Sequence, residues 1–531
     1  MQKILRIEET DSLIVALRDL HAGETVEWKG QSFRLVTDVR AKHKFAAEDV
    51  PAGGLVSLYG TAVGKAVVPI RKGEAVTRDN IRHYAAPVSV EDSSAYVWNP
   101  PDVSAYADRH FMGVVRSDGR VGTANYWLVL PLVFCQNRNA SRLADALNEA
   151  LGYANSGLKE FARGITGDAS GPAGRDRPFP YLDGVRAIAV DSGCGGAALD
   201  CETLCEVLAA YADHPNVAGV TVFSLGCEKS QISVFKEALA RRNPGFDKPC
   251  LTYRQQDWDD EEKMMKDALR QTYDHLSGAN QCRRVPVPLS RLKIGVKCGG
   301  SDGFSGISAN PAMGVVSDIL IALGGASALA EFPELCGAEG TILARCDSPD
   351  KRRRFLDLMR RYEDVARFFG TTIADNPSWG NIEDGLITDA IKSTGAAKKG
   401  GNAPVAAVLD YAEPMAESGL SLVCTPGNDV IAVTGQVAAG ATLVIFSTGL
   451  GTPTGNPIVP VLKIATNTAV ARRLKDMIDF DCGPIIDGAP LEDVASALFE
   501  TVIDVASGSR KVKADGLEQY DFMLWKRSLD L

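Results

Sequence analysis

From about residue 109 the chain repeats one pattern, a short and nearly continuous apolar run followed by an amphipathic segment of helical period. YWLVLPLVF (126–134) precedes ASRLADALNEALGYA, VRAIAV (185–190) precedes LDCETLCEVLAAYADH, and GVTVFSL (219–225) precedes SQISVFKEALARR. Strands apolar on both faces must be covered on both faces, and parallel strands need crossovers long enough to hold a helix. The pattern predicts an α/β fold with a doubly wound parallel sheet. The helical stretch 257–278 leads out of that unit. From about 286 strand–helix alternation resumes, with glycine concentrated in the loops after strands. Residues 1–87 differ. They read as short strands separated by HAGE, WKGQ, PAGG and RKGE, which is hairpin chemistry. The expected organisation is a β-rich domain over 1–87, a linker over 88–108, an α/β domain over 109–285 and a second, glycine-rich α/β domain over 286–531.

Four cysteines end apolar runs: Cys135, Cys194, Cys227 and Cys298. Ligands of open α/β sheets bind outside the carboxyl ends of the strands. Soft ligands repeated there are therefore candidates for one shared metal site, against the plainer reading of cysteine as a small buried hydrophobe. Twelve cysteines in 531 residues are too dilute for a disulfide scaffold.

The net charge of −10 argues against a nucleic-acid footprint. The basic run Lys351–Arg354 sits among acids in a helical stretch and reads as a solvated face. No apolar stretch approaches the ~20 residues of a membrane span. The segment MQKILRIEET lacks a signal-peptide core, so a cytoplasmic setting with reduced thiols is expected.

The densest local motif runs from Cys298 through Gly299, Gly300, Ser301, Asp302 and Gly303 to Asn310. Glycines let a backbone approach a ligand, and successive amides form an anion-binding nest. Neither nucleotide fingerprint is present. Three further loops carry small hydroxyls and amides: Asn376, Ser378 and Asn381; Asn428 and Asp429; Thr448 and Thr452. Such groups suit a polyhydroxylated ligand, whose hydroxyls each need a partner once desolvated. Arg116, with Asn125 in the same segment, is a candidate carboxylate clamp. Glu228 and Lys229 follow Cys227 as a candidate acid/base pair, and Asp302 is a further catalytic candidate. Histidine is scarce, six in all, and His43 beside Lys44 is the best base or ligand among them.

Together these segments resemble the altronate/galactarate dehydratase family. HKFA (43–46), RSDGRVGTANY, LGCEKSQ, CGGSDGFSGISANPAMG, TPGND, FSTGLGTPTG and VLKIATNT carry the resemblance, which spans nearly the whole chain. It implies an N-terminal SAF domain, a Rossmann-like middle domain and a glycine-rich C-terminal domain. It also implies β-elimination of water from a sugar acid to a 2-keto-3-deoxy acid, with divalent iron or manganese as cofactor. Thiolate ligation by the four cysteines would instead suit an iron–sulfur cluster. A homo-oligomer, a dimer, is expected. The chain departs from the family pattern where a histidine-rich HxHxHN is replaced by Ala75–Asn80, a proline by Trp379, a lysine by Ile382, and an arginine by Leu450. The Glu-Lys pair becomes Ile391-Lys392. These departures predict a less anionic or differently shaped substrate than altronate or galactarate. The alternatives are elimination of another leaving group, such as sulfite, or a non-catalytic sugar-acid-binding paralogue.

Overall fold

The computed structural model describes residues 2–91, 96–153, 157–166 and 177–528. Part of the expected linker, 92–95, lies outside them. The N-terminal region is built from short antiparallel strands, including Leu13–Ala16, which pairs with Lys44–Ala46, and Leu55–Leu58, which pairs with Thr61–Ala66. Leu13, Val15, Val56, Leu58, Val63 and Val76 fill its interior. The same cluster takes in Phe304, Ile307, Leu386 and Ile391 from the C-terminal region. The N-terminal domain is thereby packed onto the loops that follow the strands of the larger sheet.

The middle region holds a four-stranded parallel sheet of β1 (Tyr126–Pro131), β2 (Gly184–Ala187), β3 (Val217–Ser224) and β4 (Cys250–Arg254), in the order β2-β1-β3-β4. Trp127, Leu128, Val129 and Leu130 are all buried, because both faces of β1 are covered, as the unbroken apolar run predicts. An antiparallel pair, His110–Val115 with Arg284–Pro288, joins the start of this region to its end.

The C-terminal region holds seven parallel strands: β5 (Lys293–Cys298), β6 (Ala326–Leu329), β7 (Val405–Leu409), β8 (Gly419–Val423), β9 (Leu443–Thr448), β10 (Val461–Ala465) and β11 (Phe480–Asp481). Their order is β7-β8-β6-β5-β9-β10-β11. Helices α1 (Ala309–Ala322), α2 (Asp389–Ala397) and α3 (Asp429–Ala439) belong to its connections. The chain leaves β5 toward β6 and later returns to β9 on the other side, so the topological switch point lies between β5 and β9. The smaller sheet has its own between β1 and β3. Open α/β sheets bind ligands outside the strands' carboxyl ends at such points. Among the described residues no helix is long and apolar enough to cross a membrane.

Candidate active site

The loop after β5 crosses the larger sheet's switch point. Its glycines are required by close approach: a Cβ on Gly299 would lie 2.5 Å from the Asp429 carboxylate, and one on Gly300 would lie 2.7 Å from Thr452 Oγ1. Two charged clusters flank this loop.

The first is buried beneath it. Cys298 ends β5. After β6 the chain turns through Glu331, held at φ 72°, a conformation costly for a residue with a side chain, and then a helical turn carries Glu334. Thr425, after β8, pins this turn, its Oγ1 accepting from the Glu331 amide at 3.0 Å. Lys399 follows α2, Lys297 precedes Cys298, and Asp429 opens α3. Lys297 Nζ lies 2.5 Å from Glu331 and 2.7 Å from Asp429. Lys392 Nζ lies 2.9 Å from Glu334 and donates to Asn376 Oδ1 at 2.5 Å. Burial works against the Lys399 charge, but Cys298, Glu331 and Glu334 outweigh it and raise its pKa. Burial likewise opposes the Glu334 charge, and Lys392, Lys399 and Lys297 overcome it, holding that carboxylate well below its usual range.

Cys298, Glu331 and Glu334 place their ligand atoms within 4.8 Å of one another, the one such group among the described residues. It does not suit the divalent ion the resemblance implies. The Lys399 ammonium already lies 3.1 Å from Cys298 Sγ, 3.0 Å from Glu331 and 3.5 Å from Glu334. A second cation there would face a buried like charge with its ligands committed.

The second cluster is where the N-terminal domain docks. Lys42 Nζ lies 3.1 Å from both Asp302 and Asp384. Its carbonyl is wedged so tightly against Gly303 and Gly385 that a Cβ at either would strike it. Lys44, fully buried, donates to the carbonyls of Gly385 at 2.7 Å and Lys42 at 3.0 Å. Burial pushes its amine down to about 7, against the pull of Asp302. His43 bonds the Glu383 carbonyl at 2.9 Å, and burial lowers its pKa.

The expected site residues separate into three places. Lys44, His43, Asp302, Ser301, Asn376, Ser378, Asn381, Asn428, Asp429, Thr448, Thr452 and Cys298 gather around the β5 loop. Several of them are braces. Asp302 accepts from Ser305, Thr466, Asn467 and the Phe304 amide as well as pairing Lys42. Ser378 and Asn381 form a capping box, and Asn381 also holds the Ser301 carbonyl at 2.8 Å. Asn428 caps α3, and Thr448 Oγ1 accepts from the Gly451 and Thr452 amides. Asn310 is an interior link between Ser447 and the Gly395 carbonyl.

Arg116 and Asn125 correct the expectation of a carboxylate clamp. Arg116 donates to the Pro215 carbonyl and to Asn125, and Asn125 donates to the Tyr181 and Ala279 carbonyls, all within the interior. Their motif precedes β1, which puts them at the strands' amino edge. Glu228 and Lys229 do not pair with each other. Glu228 accepts from Ser224 and the Gly226 amide, and Lys229 donates to the Gly196 carbonyl. Cys298 does not join Cys135, Cys194 and Cys227, which are exposed free thiols at the carboxyl edge of the smaller sheet. Glu331, Glu334, Lys297, Lys399 and Lys42 were not singled out by their sequence context.

Three of the departures from the family pattern lie close together beside the β5 loop. The Arg78 guanidinium lies 5.9 Å from the Trp379 ring centre, and Leu450 lies 3.3 Å from a Cβ placed on Gly300 and 3.8 Å from one on Gly380. Lys392 is retained and buried against Glu334, so the departures do not strip the site of charge.

Lysines at a switch point, flanked by hydroxyl- and amide-bearing loops, make the β5 loop the candidate site of this α/β protein. Family models match the chain in three consecutive parts: the altronate/galactarate dehydratase SAF domain over 2–84, the D-galactarate dehydratase/altronate hydrolase second domain over 113–280, and the D-galactarate/altronate dehydratase C-terminal domain over 289–529. The chain belongs to the altronate/galactarate dehydratase family, a family of hydro-lyases. It is 34% identical to the altronate dehydratase of Bacillus subtilis over 96% of both chains. It is 30% identical to the galactarate dehydratase (L-threo-forming) of Escherichia coli over 96% of this chain and 94% of that one. It is also 29% identical to the (2R)-sulfolactate sulfo-lyase subunit beta of Chromohalobacter salexigens over 78% of this chain and 97% of that one.

Proposed function

We propose that the chain dehydrates a sugar acid, an aldonate or aldarate other than altronate and galactarate, to a 2-keto-3-deoxy acid. The observation that carries this is that three lysines lie around the glycine loop at the switch point: Lys42 paired with Asp302, Lys44 buried against the Gly385 carbonyl, and Lys392 paired with Glu334. A proton α to a carboxylate is weakly acidic, and the enediolate formed by its loss carries added negative charge that fixed cations stabilise. Lys44 is the group suited to take that proton, since a base is most effective with a pKa near the working pH. Lys392, held by Glu334, and Lys42, held by Asp302 and Asp384, supply fixed positive charge on either side of the loop for the substrate carboxylate and the enediolate. The C–H electron pair passes into the enediolate and returns to form the Cα–Cβ double bond of the enol as the β-hydroxyl leaves as water, taking up the proton that Lys44 removed. The enol then tautomerises to the 2-keto acid.

The narrower substrate claim is supported by Arg78, Trp379 and Leu450 lying together beside the β5 loop. Leu450 stands where the family pattern has an arginine, so that position offers no cation to a substrate oxygen, and the preference shifts away from the substrates such an arginine serves. An anaerobic screen of aldonates and aldarates, read as 2-keto acid, tests both statements. Turnover of a different sugar acid with little on altronate supports them, and efficient turnover of altronate overturns the narrower one. A second reading, loss of sulfite from a hydroxy acid, is favoured by the similarity to the sulfo-lyase subunit, and free sulfite in the product mixture would establish it.

A further inference from the structure

The smaller sheet has its own switch point, and cysteines gather along it. The three strands bordering that point, in the order β2-β1-β3, each lead into a loop bearing an exposed free cysteine: Cys194 after β2, Cys135 after β1 and Cys227 after β3. The loops are fastened to one another. The Phe134 amide donates to the Ser192 carbonyl at 3.1 Å, the Lys229 amide donates to the Gly193 carbonyl at 3.0 Å, and Ser230 Oγ donates to the Leu132 carbonyl at 2.5 Å. Asn137 holds Val190 through both its amide and its carbonyl, at 2.9 and 2.7 Å. Gly193, Gly195 and Gly226 take positive φ, of 108°, 79° and 119°, so Cys194 sits between two left-handed glycines and Cys227 follows another. A Cβ on Gly193 would collide with Leu132, Val133 and Ser230. Glu228 and Lys229 act within this framework, bracing the Cys227 loop on itself and on Gly196.

The loops of this edge are hydrogen-bonded to one another, and their three cysteines are exposed. A buried cysteine fills space, whereas three exposed ones on mutually pinned loops are a soft-ligand set. Their spacing restricts what they hold. Two thiolates on one tetrahedral ion, at about 2.3 Å each, can be at most about 4.6 Å apart. Among the described residues these three sulfurs do not gather within 4.8 Å of one another. We propose that Cys135, Cys194 and Cys227, as thiolates, hold an iron–sulfur cluster of the four-iron type. Each binds one iron, and the fourth iron has no protein ligand. When bound, the cluster would offer an open coordination position to a hydroxyl or carboxylate oxygen. Cys298 is excluded from the set by its contacts with Lys399 and Glu334.

The test needs no substrate, so it is independent of the proposed dehydration. The full chain is purified without oxygen and reconstituted with ferrous iron and sulfide. It is then measured for iron, acid-labile sulfide, visible absorption and the EPR signal after one-electron reduction. About four irons and four sulfides per chain are expected. Cys135→Ser, Cys194→Ser and Cys227→Ser should each lose most of the labile sulfide and the EPR signal, while Cys298→Ser and Cys282→Ser keep both. Circular dichroism and thermal unfolding of the iron-free forms separate ligand loss from misfolding. Wild type without labile sulfide, or a cluster that survives replacement of any two of the three cysteines, would overturn the proposal.

Discussion

The Lys399 ammonium sits 3.1 Å from the Cys298 sulfur, inside a triangle completed by Glu331 and Glu334. A lysine thus stands where the donor set alone would suggest a metal. Removing it should unmask the triad. Lys399→Ala is expected to bind Co(II) with a thiolate-to-cobalt absorption that disappears in Lys399→Ala/Cys298→Ser, whereas wild type shows none from this group. The same change leaves two buried carboxylates short of a partner and should cost about 3–5 kcal/mol in urea unfolding.

Lys44 sets the pH dependence. Its folded pKa, about 7, lies below the ordinary lysine value because burial disfavours the ammonium. The base form is the neutral amine, so kcat/KM should rise with pH through about 7. In stability the unfolded chain binds more protons between about pH 7 and the unfolded value, so this residue's contribution grows as pH rises across that window and is least favourable below it. Unfolding of wild type against Lys44→Met at pH 6 and pH 9 checks the sign: wild type should gain relative to the variant at the higher pH.

Trp379 is 79% exposed and occupies the first position of a short helix capped by Ser378. Proline is well tolerated at that position, where the missing N–H would go unused. Trp379→Pro should leave stability within about 0.5 kcal/mol. Combined with Leu450→Arg, it should raise kcat/KM for an aldarate about tenfold or more relative to the preferred substrate, measured as 2-keto acid formation.

Gly385 has φ 93°, and a Cβ there would meet the Lys42 carbonyl. Gly385→Ala should therefore loosen the N-terminal domain from the β5 loop. The expected readout is faster amide exchange across 42–46 together with lost turnover, a pairing that a purely local defect would not give.

The sheets were legible because apolar runs and helical periods report burial directly, and the cysteines and glycine loops because strand ends are visible in that pattern. What a run cannot say is which sheet it joins, so Cys298 was grouped with three thiols of another sheet. Arg116 and Asn125 had suitable side chains, but their place before β1 assigns them to the amino edge, a signal present in the order of the motif. Glu331 and Glu334 lie in ALAEFPELCG, where the left-handed turn that brings them inward has no sequence mark. Lys399, in AAKKGG, reads as a surface charge. Its burial depends on partners about seventy and one hundred residues away.

The most direct test of the central claim compares 2-keto acid formation by wild type and Lys44→Met on the best substrate of the screen, above and below pH 7. A fall of about 10²–10⁴-fold in kcat, with fold and substrate affinity retained, is the result the account predicts. A Lys44→Met enzyme that turns over like wild type, with the same pH profile, would contradict it.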